Sequence, residues 1–263
     1  MSILIVETTL KAASKLTRLK RQFKGKTINN HPLDKPDTAA PAFFFYMGIL
    51  LTSIVLLGFI PPALSKPNGA FSLPLLYHIH GLVFAAWFGL FTLQAYLVRG
   101  KNLRLHRKLG QSSIVIATAM LITGYFMMRA AYGIPEFAIG KNGHVASVMF
   151  PVTDLINFSI MFLLGFFNRG NGPAHKRLML LAGILILDPA VARLIQTVGA
   201  PFPLIPIVEL GLFALLIGYD LFTLKKPHWC SLLGLALFFA AMAAKLTIAQ
   251  TSTWADIASI IFG

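Results

Sequence analysis

The chain has 263 residues, 56% of them hydrophobic and 12% charged, with a formal net charge of +14 and a mean hydropathy of +0.73. A soluble domain carries roughly 25% charged residues, so the composition excludes a soluble globular class and points to an all-α, multi-pass membrane protein. The basic residues sit in short segments between apolar runs, which excludes nucleic acid as the partner, and the single Cys230 excludes an internal disulfide or a cysteine-rich metal cluster.

Residues 1–42 form the first unit. Ile3, Val6, Leu10, Ala13, Leu16, Leu19 and Phe23 recur every three to four residues among Lys and Arg. That spacing predicts an interfacial amphipathic helix whose basic face meets anionic lipid headgroups on the inner leaflet. The apolar "ILIV" precedes the charges, the reverse of a secretory signal. "NNHPLDKPDTAAPA" then reads as a linker.

Residues 43–263 form the second unit. Runs of about 20 apolar residues span a bilayer, and seven are expected, at 43–61, 73–98, 107–129, 146–168, 177–198, 205–223 and 231–251. With seven spans, eighteen Lys/Arg fall on the side of the N-terminus and three, Lys66, Arg129 and Lys141, on the other. The positive-inside rule then predicts a cytoplasmic N-terminus and an external C-terminus. A bacterial inner membrane is the expected location.

Two segments look alike. "VRGKNLRLHRKLG" and "NRGNGPAHKRLM" each have Arg-Gly, a polar turn, then His and two basic residues. His106 and His175 each open a span at the cytoplasmic face, so spans two–three and four–five read as related units. Lipid phosphate binding and topology setting explain such residues simply. Axial ligation of haem b by the two imidazoles is the alternative, and His80 with His144 would be the corresponding outer pair.

The elements His80-Gly81, Leu105 to Gly110 and His175 to Ala182 resemble uncharacterised bacterial multi-pass membrane proteins with the same short motifs. "RGKNLRLHRKL" also resembles small bacterial membrane proteins linked to haem-copper oxidase assembly. The first resemblance implies no activity. The second implies a respiratory membrane and subunits of a membrane complex as partners, although that group has about four spans rather than seven.

Ionisable residues recur at one depth. His78 and His80 enter span two from outside; Asp154 and Asn157 lie in span four; Asp188, Arg193 and Gln196 in span five; Glu209 in span six; Lys245 in span seven. At about 1.5 Å per residue they share the outer half of the membrane. A charge at the centre of a spanning helix costs roughly 2.5–3.5 kcal/mol on the insertion scale, so these groups are expected to face inward and pair. His80, Trp87 and Gln94 recur every seven residues and form one stripe, with Gly81 and Gly89 expected to admit a neighbouring helix. Pro189, following Asp188, removes a backbone donor to Leu185 and predicts a kink. Asp220 lies at the inner end of span six, where solvation is easy.

The leading expectation is a ligand, ion or metal site in the outer half. His80, Asp154, Asp188 and Glu209 are the candidate ligands of a divalent metal such as zinc, and Trp87, Asn157, Arg193 and Lys245 the other lining residues. Metal-bound water would make hydrolysis possible. No HExxH motif is present, so enzymatic activity is left open. Simpler roles exist for each: an interfacial histidine, a helix-start glutamate, a lysine that snorkels outward. A non-catalytic partner of a respiratory complex and a di-haem cytochrome are the alternatives. A retinal protein is disfavoured, because span three has no carboxylate to act as counterion.

Overall fold

The computed structural model describes residues 40–65, 73–132, 134 and 146–263. The expected N-terminal amphipathic helix, the linker and His144 lie outside the described residues. The rest is helical, and no strand occurs among the described residues. In chain order the helices are α1 (Ala40–Leu64), α2 (Leu75–Arg99), α3 (Leu103–Gly110), α4 (Ser112–Ala131), α5 (Met149–Phe167), α6 (Gly172–Ile184), α7 (Asp188–Thr197), α8 (Leu204–Leu224), α9 (Trp229–Leu246) and α10 (Ser252–Phe262). A 3-10 turn over Ile248–Gln250 joins the last two.

Among the described residues, six helical stretches are long and apolar enough to cross a bilayer, with α3 and α4 counted as one, and a seventh if the bent pair α6–α7 is one span. They coincide with the expected runs to within a few residues. The bend between α6 and α7 is 46°. It has a covalent cause: Pro189 has no N–H, so the Leu185 carbonyl loses its usual donor, and the chain leaves the helix over 185–187. The C-terminal helix α10 was not expected. Trp254, Ala258 and Phe262 pack it against Met128 and Met149, and Tyr125 donates to the Ile261 carbonyl at 3.2 Å.

The helix ends carrying Arg99, Arg107, Lys108, Arg169, Lys176, Lys225 and Lys226 gather at one end of the bundle, here called the basic end. Between the ends the core is apolar, built on Leu51, Phe88, Phe158, Met161, Leu181 and Phe213. Large apolar side chains such as Leu82, Val115, Phe167 and Phe222 stay exposed on the outside, as lipid-facing residues should. Lipid is as apolar as Leu, so burial of hydrocarbon does little to associate the helices; close packing and polar contacts must do it. The α1–α2 pair shows both. Thr52 Oγ1 lies 3.0 Å from Thr92 Oγ1 and 3.3 Å from the Phe88 carbonyl.

Gly58 marks a tight backbone approach between α1 and α7. A Cβ there would run into the Ala190 carbonyl oxygen. Gly81 and Gly89 do not serve the role expected of them: nothing lies within 4 Å of a Cβ at either. A small residue permits close approach only on the face that has a neighbour. Gly58→Ala is therefore expected to destabilise the bundle by about 1–3 kcal/mol, as overpacking does. Gly81→Ala and Gly89→Ala should be neutral or stabilising by up to about 1 kcal/mol, through helix propensity. Thermal unfolding of the three variants in detergent checks the contrast.

Candidate functional site in the half remote from the basic end

Four ionisable residues from four helices meet between α5, α7, α8 and α9. Asp154 comes from the first half of α5, Asp188 from the first turn of α7, Glu209 from early α8 and Lys245 from the end of α9. All four are more than nine-tenths buried. The Lys245 ammonium donates to Asp154 Oδ1 at 2.9 Å and to Asp188 Oδ2 at 2.5 Å. It also lies 5.1 Å from the centre of the Phe150 ring, a distance at which the ring face attracts a cation. Lys245 does not snorkel; its stem runs inward.

A cavity of about 10 Å³ opens beside this bridge, enough for one water molecule. Asp154, Asn157, Leu185, Glu209, Met242 and Lys245 are among its lining residues. Asp154 Oδ2 is buried with no partner. Asn157 Nδ2 reaches the Leu237 carbonyl only at 3.4 Å. Glu209 forms no ion pair among the described residues. Counting formal charges, three carboxylates face one ammonium. In a low-dielectric interior that excess must be met by protons or by a bound cation.

The expected polar layer is not one site. His80 and Arg193 stand apart from the acids. The His80 ring packs on Phe84, 4.2 Å between ring centres, and its Nδ1 is buried without a partner. Arg193 lies near His80 and Tyr77. It donates to the Pro189 carbonyl at 3.1 Å and covers the Phe59 ring. Asp188 and Arg193 diverge, as their i, i+5 spacing requires. Trp87 packs edge-on against Phe158 and Phe162 and is not on the cavity. The zinc-type ligand set of His80, Asp154, Asp188 and Glu209 is therefore not assembled. Lys245 occupies the position between the acids that an ion would take. Among the described residues no three His, Cys, Asp or Glu side chains are arranged to hold a metal ion. The outer haem pair has no geometry here, because His144 lies outside the described residues. The inner pair does meet: the rings of His106 and His175 lie 6.4 Å apart.

The opposite end holds a network that the sequence reading passed over. Asp220, assigned to easy solvation, is 0% exposed, and Arg177 is 1% exposed. Arg177 Nε and one terminal nitrogen lie 2.7 and 2.6 Å from Asp220 Oδ1. Asp220 Oδ2 accepts from Ser231 Oγ at 2.6 Å and from the His228 backbone N–H at 3.0 Å. One carboxylate thus ties the start of α6, the end of α8 and the start of α9. The missed signal was orientation: an acid in the last turn of a helix opposes the dipole and needs a cation.

His228 caps α9, its Nδ1 accepting from the Cys230 N–H at 3.2 Å. Its pKa is lowered from the ordinary 6.5, first by burial and then by the nearby Arg177 charge. The folded chain then binds fewer protons at this site than the unfolded chain, so stability falls as pH drops below about 6.5.

Comparison with family models, curated proteins and solved structures finds no match.

Asp220→Asn should cost about 3–5 kcal/mol, because it strands a buried guanidinium, while the double variant Arg177→Met/Asp220→Leu should lose less than Asp220→Asn alone; thermal unfolding in detergent gives the ranking. Separately, the melting temperature of the protein should fall as pH is lowered from about 7.5 to 5.5. His228→Asn, which keeps a capping acceptor, should flatten part of that slope.

Proposed function

We propose that this integral membrane protein exchanges protons at the Asp154–Lys245–Asp188–Glu209 cluster, and that the exchange is coupled to movement of a solute or of the helices themselves. The observation that carries the reading is the charge imbalance: one ammonium bridges two carboxylates, and a third acid faces the same small cavity. A purely structural ion pair is balanced. A cluster with surplus acid in a dry interior changes its proton count, or its cation, whenever its surroundings change. The α6–α7 break supports the same reading. Broken helices at membrane depth are tolerated where they line a cavity, and Leu185, whose carbonyl Pro189 leaves without its donor, is one of the lining residues.

The basic end faces the cytoplasm on this reading, by the positive-inside rule. The acid cluster then opens toward the external half of a bacterial inner membrane. A divalent metal is a weaker candidate than the proton, because Lys245 already neutralises the space between Asp154 and Asp188.

The test is infrared difference spectroscopy of the purified protein in lipid, with pH stepped between about 5 and 9, joined to proton uptake by vesicles containing it. A titrating buried carboxylic-acid band is expected in the wild type and should be lost in Glu209→Gln. Glu209→Gln and Asp188→Asn should each reduce proton uptake at least tenfold, with Asp256→Asn as the unaffected control. A wild type with no titrating buried carboxyl, or uptake equal to that of empty vesicles, ends the proposal.

A further inference from the structure

The cavity beside the Lys245 bridge has oxygen-bearing residues in its wall from three helices. Asp154 of α5 is buried, and Lys245 takes only its Oδ1, so Oδ2 is left without a partner. Asn157 lies one turn further along α5. Its Nδ2 donates to the Leu237 carbonyl at 3.4 Å, which leaves Oδ1 free to accept. Glu209 of α8 adds a second carboxylate. Leu185 stands at the C-terminal end of α6, and Pro189 leaves its carbonyl without the usual helical donor. Phe238 and Met242 give the wall an apolar side.

This donor set is two carboxylates, an amide oxygen and a backbone carbonyl. Oxygen donors of that kind suit alkali and alkaline-earth cations better than transition metals, which call for imidazole or thiolate. The end of a broken helix is also a place where membrane proteins hold such ions, through carbonyls freed from the ladder and the negative end of the half-helix.

Size and charge choose among these cations. The cavity, of about 10 Å³, takes one guest of the size of a water molecule. Magnesium keeps several waters of its own, and calcium takes roughly six to eight oxygens, so neither fits. Potassium is about as large as water, whereas the smaller sodium ion lets the oxygens close on it. The charged groups that meet here are Asp154 from α5, Asp188 from α7, Glu209 from α8 and Lys245 from α9. Fully ionised, they leave two negative charges in excess. The cluster becomes neutral with two protons, or with one proton and one monovalent cation. Exchange of the ion for a proton therefore leaves the buried charge unchanged. Lys245 and the ion share the Asp154 carboxylate through its two different oxygens.

Resting on proton exchange at this cluster, we propose that the cavity binds one sodium ion through Asp154, Asn157, Glu209 and the Leu185 carbonyl, and that sodium and a proton displace each other there. Sodium is then the solute whose movement is coupled to the proton.

The experiment is the infrared titration of the buried carboxyl in lipid, with sodium chloride exchanged for choline chloride at constant ionic strength. Sodium favours the ionised form, so it lowers the titration midpoint. For competition at one site, each tenfold rise in sodium above its dissociation constant lowers the midpoint by about one pH unit. Potassium should require roughly ten times the concentration for the same shift. Asn157→Ala removes an oxygen and no titrating group, and it should require roughly ten times more sodium. Asp256→Asn should respond as the wild type does, and size-exclusion profiles identify variants that misfold. The wild type decides even where a variant fails to fold: a midpoint that is the same in sodium and in choline overturns the sodium site and leaves proton exchange standing. An equal shift by potassium also overturns it, as does an unaltered sodium response in folded Asn157→Ala. A wild type with no titrating band overturns proton exchange, and the sodium site with it.

Discussion

The constraint on which the rest depends is the near-absence of counter-charge in an apolar bundle. A carboxylate withdrawn from water must find a donor within the protein, and a single misplaced acid would outweigh several good van der Waals contacts. The chain meets this demand twice. At the basic end Asp220 accepts a hydrogen bond from Arg177 Nε, one from Ser231 and one from a backbone N–H, with a second guanidinium nitrogen in ion-pair contact. Charge is balanced there and the acid is fully satisfied. In the other half Lys245 serves two acids, Asp154 keeps an unpartnered oxygen, and Glu209 adds a third carboxylate. The first arrangement does what a structural ion pair does. The second leaves a surplus, and surplus is what a site that changes state requires.

Backbone chemistry places that surplus. Pro189 ends α6 early and starts a new helix, so Asp188 falls in the first turn of α7. There the dipole favours a carboxylate, whereas in the middle of an unbroken span the same residue would have no such support. The bend also turns the end of α6 away from ideal geometry at Leu185, which lines the cavity. One residue type in one position thus supplies a helix start, an acid-friendly terminus and a gap.

Much of this was legible in the sequence. Length and hydropathy located the spans, Pro189 located the bend, and the cost of burying short acids implied that they would meet. What was not legible was azimuth. A seven-residue stripe says that His80, Trp87 and Gln94 share a face, but not which neighbour that face meets. It meets Phe158, Phe162 and Arg193 rather than the acids. Gly81 and Gly89 were read as contacts for the same reason, while Gly58, on the packed side, carried no distinguishing mark. Lys245 has a stem long enough to reach outward or inward, so its direction needed the positions of Asp154 and Asp188. Asp220 was misjudged because depth was weighed and helix polarity was not.

The broken helix joins these parts in an asymmetric way. α6 begins with His175 and Arg177, and α7 carries Asp188 and Arg193, so the pair contributes to the polar contacts at both ends of the bundle. Its two halves are held differently. The start of α6 is fixed by its Asn171 cap, by the Arg177–Asp220 contacts and by the Gly165 carbonyl on His175. α7 is held by a carboxylate–ammonium contact, a guanidinium over Phe59 and the close approach of Gly58. Between them lie three residues outside both helices, facing a proline that cannot close the hydrogen-bond ladder. If the acid cluster exchanges protons as proposed, the short segment 185–187 is the part of the pair that neither helix nor a side-chain clamp holds.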